Sequence, residues 1–126
     1  MNYNLACETI NAKTNGFVPE IVVVLGSGLA GFAERVDAET VIPYEEIPGF
    51  AVSTAPYHNG RLIFGTLEGK KIACMDGRLH FYEGHSMEDI VFPLRVLRKL
   101  GAKKLILTNA SGGINTEFSV GDIMLV

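Results

Sequence analysis

The fold is decided by Ile21-Val22-Val23-Val24-Leu25-Gly26-Ser27-Gly28, an uninterrupted apolar run that ends in a glycine-rich turn. A run without polar alternation is typical of a strand buried on both faces of a parallel sheet. The glycines turn the chain directly after the strand, and residues 29–36 fit a helix. This stretch therefore predicts the strand, turn and helix of an α/β fold.

The composition is that of a single globular domain. The chain has 126 residues, of which 48% are hydrophobic and 20% charged, a balance that excludes disorder. No uninterrupted apolar run reaches about 18 residues, so we expect no membrane partner. A net charge of -3 argues against a nucleic-acid partner. The two cysteines, Cys7 and Cys74, have neither disulfide nor zinc spacing, so we expect no metal and a cytoplasmic location.

Further elements surround the first strand. Residues 2–13 fit a short helix, residues 61–67 and 71–75 a hairpin, and residues 87–100 a helix with a capping box at Ser86 and a bend at Pro93. Residues 105–107 read as a second buried strand, whereas the prolines of residues 43–56 predict loop and extended pieces. Residues 120–126 read as a turn and the opening of an apolar strand, which indicates a piece of a longer protein. Together these elements predict a mixed central sheet with flanking helices.

One motif points to a dinucleotide but lacks its partner. Residues 26–31 satisfy Gly-x-Gly-x-x-Gly after a strand and before a helix, the context of a nicotinamide or flavin site. The acidic residue expected about 20 positions later would be Glu45 or Glu46, which lie between prolines, and a hairpin follows where a crossover helix is needed. We therefore reject the dinucleotide interpretation. The turn still suits a small anion, because its backbone N–H groups, the Ser27 hydroxyl and the following helix can all donate to one.

The second informative stretch is Gly77-Arg78-Leu79-His80-Phe81-Tyr82-Glu83-Gly84. If it is extended, alternation sends Arg78, His80 and Tyr82 to one side and the two apolar residues to the other. A guanidinium fork suits two phosphate oxygens, an imidazole can donate to the same anion, and Glu83 is placed to fix the imidazole tautomer. The segment therefore predicts a phosphate-bearing substrate.

Two more loops can converge on that anion. His58 lies just before the predicted hairpin, and Ala110 lies in the loop Asn109-Ala110-Ser111-Gly112-Gly113 after the second predicted strand. Open α/β sheets bind ligands outside the carboxyl ends of their strands, where the backbone N–H groups of such a loop can hold phosphate.

Taken together, these motifs resemble those of the trimeric class of purine nucleoside phosphorylases. The matching pieces, in chain order, are Leu25-Gly26-Ser27-Gly28-Leu29, His58 with Gly60-Arg61, Gly77-Arg78-Leu79-His80-Phe81-Tyr82-Glu83-Gly84, Phe92-Pro93-Leu94-Arg95 and Thr108-Asn109-Ala110-Ser111-Gly112-Gly113. The resemblance runs from about residue 17 onward. It implies that residues 1–126 are the N-terminal portion of one nucleoside phosphorylase domain, truncated so that the C-terminal half is absent.

The resemblance also implies roles for individual residues. Arg78 and His80 would be catalytic, and both would bind phosphate together with Ser27, His58 and the backbone of Ala110. Tyr82 would contact the nucleoside, with Glu83 in a supporting position. Phosphate would cleave a purine ribonucleoside or deoxyribonucleoside to the free base and the pentose 1-phosphate in purine salvage, without a cofactor. The whole protein would be a homotrimer, and residues 1–126 alone would be inactive.

Two other interpretations stay open. Methylthioadenosine phosphorylases are related and also bind phosphate, although residues 77–84 suit the purine nucleoside branch better. The second is a non-catalytic fragment that binds phosphate.

Overall fold

The computed structural model describes residues 1–51 and 60–126. Its regular elements are α1 (Tyr3–Thr14), β1 (Ile21–Val24), α2 (Ala30–Ala33), β2 (Asp37–Pro43), β3 (Arg61–Leu67), β4 (Lys70–Asp76), α3 (Met87–Lys99) and β5 (Lys104–Leu107), with single 3-10 turns at Tyr44–Glu46 and Phe81–Glu83. No helix among these residues is long and apolar enough to cross a membrane.

The strands form one mixed sheet in the order β2-β3-β4-β1-β5. β1 pairs in parallel with β4 on one side and with β5 on the other. β3 runs antiparallel to both of its neighbours, β2 and β4. The carboxyl ends of β1, β4 and β5 consequently meet at one edge, where ligands of open α/β sheets bind.

Each face of the sheet carries its own apolar core, because successive side chains of a strand point to opposite faces. Val22 and Val24 of β1 face α1 and α3, where Phe92 and Val96 are fully buried. Val23 faces the other side, which is covered by α2 and the turn after it. The expected mixed sheet with flanking helices is confirmed.

Several local predictions are also confirmed by the backbone. α1 ends at Thr14, and its C-cap residue Asn15 has the left-handed conformation (φ 52). The hairpin turn consists of Glu68 and Gly69, both with positive φ (48 and 72), as a two-residue turn between twisted strands requires. The Ser86–Asp89 capping box begins α3, which continues through Pro93 to Lys99.

The stretch after β1 differs from the sequence prediction in two elements. The helix expected over residues 29–36 is the single turn α2, because its N-cap residue, Leu29, offers no side-chain acceptor and glycine lies within it. β2 was not predicted, since it lies between the helix expected over residues 29–36 and the loop and extended pieces expected over residues 43–56. It lies at an edge of the sheet and buries mainly Ile42, so its sequence carries a weak apolar pattern.

The end of the chain also differs from the prediction. β5 forms where expected but is not buried, since all four of its residues are exposed and no described element covers its outer edge. Residues 122–126 form no strand, because an extended segment becomes a strand only when another strand pairs with it.

Candidate functional site

Thr108 joins the loops that follow β1 and β5. Its hydroxyl accepts a hydrogen bond from the Gly26 backbone N–H at 2.8 Å and donates one to the Val24 carbonyl at 2.8 Å. The two loops approach so closely that a Cβ on Gly26 would lie 2.7 Å from the Thr108 carbonyl oxygen and 2.8 Å from the Cα of Asn109. Glycine is therefore required by close packing of backbone on backbone.

Arg78 brings the loop after β4 to the same place. Its Nη1 donates to the Thr108 carbonyl at 2.8 Å, and its Nε donates to Nε2 of His80 at 3.2 Å. The loops after three parallel strands are thus connected through Thr108 and one guanidinium. The guanidinium, the imidazole and the two glycine-containing loops predicted to share a site do lie together.

Tyr44 fixes the start of the Arg78 segment. Its ring is almost fully buried, and its hydroxyl donates to the Gly77 carbonyl at 2.6 Å. Burial is the main cause that raises the pKa of this phenol, with smaller contributions from Cys74 and Asp76, so the group stays protonated as a donor. Gly77 has a φ of 104, which turns the chain out of β4 and toward Thr108.

Glu83 lies within hydrogen-bond distance of His80, where the predicted role of fixing the imidazole tautomer requires it. A guanidinium only donates, so His80 Nε2 accepts from Arg78 and the proton of the neutral ring lies on Nδ1. That Nδ1 lies 2.7 Å from Oε1 of Glu83. The hydrogen bond from His80 is the main cause that lowers the pKa of Glu83, so this carboxylate is ionised near neutral pH.

The segment after Arg78 does not have the expected alternation. Residues 78–80 are irregular and Phe81–Glu83 is a 3-10 turn, so only Leu79 of the predicted apolar pair is buried. Phe81 is 65% exposed, because a tight turn does not keep the two-residue period of a strand. Tyr82 instead stacks on His80, with ring centroids 4.7 Å apart, and is 82% exposed.

His85 also belongs to this cluster, although it lies outside the sequence motifs. Its Nε2 lies 3.4 Å from Oε2 of Glu83, the carboxylate oxygen that does not face His80. The histidine lies just outside the quoted motif, separated from Glu83 by Gly84. That glycine has a left-handed conformation (φ 90), which turns His85 back toward the carboxylate. The only sequence feature that could have indicated this contact is the presence of a histidine two positions after Glu83.

The remaining predicted phosphate ligands lie on the converging loops or outside the described residues. Ser27 is exposed in the loop after β1, and Ala110 is exposed in the loop after β5. α2 has only four residues, so the expected dipole of a long helix does not reinforce the Ser27 loop. His58 lies outside the described residues. Their roles stay predictions.

The rejected dinucleotide site is also inconsistent with the topology. In that fold the next parallel strand lies beside the first and presents the acidic residue. β1 is flanked here by β4 and β5, whereas the 3-10 turn containing Glu45 and Glu46 follows β2 at the far edge. Within residues 1–51 and 60–126, no group of three histidine, cysteine, aspartate or glutamate side chains is arranged to hold a metal ion.

The sequence pattern of the Phosphorylase superfamily matches residues 20–126. The chain belongs to this superfamily. Over 108 residues it is 51% identical to Purine nucleoside phosphorylase 1 of Bacillus subtilis (strain 168), covering 86% of this chain and 40% of the relative. The resemblance to purine nucleoside phosphorylases is confirmed, and the chain spans about 40% of the length of such a curated superfamily relative.

Solved structures of the superfamily share the fold. A purine nucleoside phosphorylase in complex with ribose-1-phosphate matches with a TM-score of 0.88 and 43% identity, covering 96% of this chain and 44% of that one. A Schistosoma mansoni purine nucleoside phosphorylase in complex with inosine matches with a TM-score of 0.85 and 41% identity, covering 95% of this chain and 41% of that one.

Gly26→Ala tests the close approach of the two loops. The added methyl group meets backbone atoms on Thr108 and Asn109, so we expect a loss of about 2 kcal/mol in the free energy of unfolding. Gly31→Ala is the matched control, since a Cβ there meets nothing within 4 Å and α2 favours alanine over glycine. Urea unfolding compares the two variants, and equal stability of both would contradict the packing described here.

Glu83→Gln tests the charge of the shared carboxylate. The folded state lowers the pKa of Glu83 from its ordinary value of 4.5. The ionised carboxylate therefore stabilises the fold above pH 4.5, and this stabilisation is lost as the pH falls through the lowered pKa. We expect wild type to be more stable than the variant at pH 7 and the difference to shrink below about pH 4.5. Urea unfolding from pH 7 to pH 3 measures it, and a difference independent of pH would refute the assignment.

Proposed function

We propose that this chain supplies the phosphate-binding part of a purine nucleoside phosphorylase. The observation that carries the proposal is the hydrogen bonding of Arg78 to both His80 and Thr108, which gathers a guanidinium, an imidazole and two glycine-containing loops at one sheet edge. The neighbours bound to ribose-1-phosphate and to inosine support the choice of substrates. Phosphate is a co-substrate in this proposal, and no metal or cofactor takes part.

The reaction is the exchange of a purine base for phosphate on the sugar. The bond between the anomeric carbon and the base breaks, its electron pair leaves with the base, and the base takes up a proton. The sugar develops oxocarbenium-like charge, as in other glycoside cleavages. A phosphate oxygen then bonds to the anomeric carbon. Phosphate held against that carbon both stabilises the positive charge and captures it, so no covalent enzyme intermediate is needed.

Arg78 and His80 bind phosphate after a change of hydrogen-bond partners. Arg78 Nε now donates to His80 Nε2, an atom that must itself carry a proton to donate to phosphate. Because ionised Glu83 retains the proton on Nδ1, phosphate binding favours the doubly protonated ring. The N–H groups of the Ser27 and Ala110 loops then complete the anion site, together with His58.

Tyr82 packs against the sugar in this proposal. Its ring lies over His80 and is largely open to solvent, so one aromatic face and the hydroxyl are available to a ribose. The whole protein acts as a homotrimer in the cytoplasm and serves purine salvage.

Arg78 provides the test of the proposed activity in the whole protein. We expect phosphate-dependent cleavage of inosine, and Arg78→Ala to lower kcat/KM for phosphate by about 100-fold or more because a bidentate charged donor is lost. Arg78→Lys keeps the charge without the fork and should lose about 10-fold. Arg95→Ala, on the exposed surface of α3, is the matched control and should keep wild-type rates.

The products are ribose 1-phosphate and hypoxanthine, followed by chromatography. Faster cleavage of methylthioadenosine than of inosine would favour the alternative that the whole protein is a methylthioadenosine phosphorylase. Phosphate binding without cleavage of either substrate would favour the non-catalytic alternative.

Residues 1–126 alone should not turn over nucleoside, since they supply the proposed phosphate site and little to read a base. We expect calorimetry to detect phosphate binding by this chain and assays with inosine to give no product above the uncatalysed level. Measurable phosphorolysis by the isolated chain would show that the base-binding groups lie within these residues.

A further inference from the structure

One carboxylate in the site faces two imidazoles. Glu83 Oε1 lies 2.7 Å from His80 Nδ1, and Glu83 Oε2 lies 3.4 Å from His85 Nε2. All three side chains are largely buried, with exposures of 15% for Glu83, 17% for His85 and 21% for His80. Oε2 and His85 Nε2 are both closed to solvent and make no hydrogen bond with the described part of the chain. Each is therefore the nearest available partner of the other.

The chemistry of the pair fixes which nitrogen of His85 carries a proton. A lone pair on Nε2 would point at an ionised carboxylate, which is repulsive, whereas an Nε2–H can donate to it after a small approach. A second proton on His85 makes a charged pair with Glu83. Glu83 then has one negative charge to share between two rings, so a positive His85 weakens its stabilisation of a positive His80.

We propose that His85 is a positioning residue that shares the Glu83 carboxylate with His80 and limits how readily His80 acquires the positive charge that holds phosphate. The inference rests on the proposed function, in which a doubly protonated His80 donates to phosphate. His85 does not touch the substrate. His85 faces Oε2 of the Glu83 carboxylate, and His80 faces Oε1.

The other charged groups around the three residues leave this coupling in place. Asp89, at the start of α3, is the second carboxylate that faces His85, but hydrogen bonds from Ser86 dominate its environment and lower its pKa. On the far side of His80, Arg78 donates to Nε2 and Tyr82 stacks on the ring. The guanidinium of Arg78 stays protonated, so it adds a constant charge to the cluster and does not alter the coupling between the two histidines.

The test compares two His85 variants of the whole protein in phosphorolysis of inosine. His85→Gln places an amide N–H near the position of Nε2 but cannot become charged. We expect the alkaline limb of kcat/KM for phosphate to move upward by about 0.5–1 pH unit, because His80 then has the carboxylate charge to itself. Ionisation of phosphate itself is common to all variants and cancels in the comparison.

His85→Phe removes the donor altogether. Among the described residues Glu83 Oε2 then faces no donor, so the carboxylate is held only through Oε1. We expect KM for phosphate to rise about 3–10-fold at pH 7 with kcat changed less than twofold. The glutamine variant should keep a near-normal KM. Met87→Gln, at the exposed first position of α3 and two residues after His85, is the control and should leave both the profile and KM unchanged.

A wild-type pH profile in His85→Gln overturns the proposal, whatever the phenylalanine variant shows. If the variants fail to fold, imidazole titration of wild type by NMR still decides, because the full sequence contains only three histidines to assign. Two rings that titrate in mutually dependent steps support the sharing, and independent single steps overturn it. Absence of phosphorolysis in wild type would refute the proposed function alone, since the titration needs no activity.

Discussion

The site depends on the hydrogen bonds of Thr108. Its hydroxyl bridges Gly26 and Val24, and its carbonyl receives the guanidinium of Arg78. Thr108, directly after β5, therefore links the loops after β1 and β5 through its side chain and the loop after β4 through its backbone carbonyl. This arrangement needs glycine at position 26, because any Cβ would separate the backbones that Thr108 holds together.

The sheet makes that convergence possible through its strand order. β4 and β5 flank β1 in parallel, so the chain must cross from one side of β1 to the other through α3. α2 and α3 consequently cover opposite faces, and the carboxyl end of β1 lies where open α/β sheets form their ligand crevice. The antiparallel β3 takes no part in the crevice edge, but it extends the apolar surface on which both cores pack.

The electrostatics of the site follow from an ionised Glu83 beside two imidazoles. Arg78 and Glu83 bind opposite nitrogens of His80, so the ring is held between a permanent cation and an anion. In the proposed function, phosphate competes with His80 for Arg78, and His85 shares Glu83 with His80. The proposal therefore makes one ring respond both to the substrate and to a neighbouring histidine.

Much of the fold was readable from local signals. The apolar run of β1, the turn residues of the β3–β4 hairpin and the Ser86 capping box each act over a few neighbouring residues, and each formed as predicted. β2 was missed because an edge strand buries little and leaves a weak pattern. The alternation expected around Phe81 failed because a 3-10 turn replaces the strand there.

The sequence alone determined most of the elements, the family resemblance and the types of residue available to bind an anion. Tertiary structure decided which of these meet, since Arg78 reaches Thr108 across 30 positions of chain and Gly26 reaches it across 82. It also decided the place of His85, whose approach to Glu83 depends on the left-handed Gly84. Contacts of this kind depend on strand order, which a local pattern of residues does not encode.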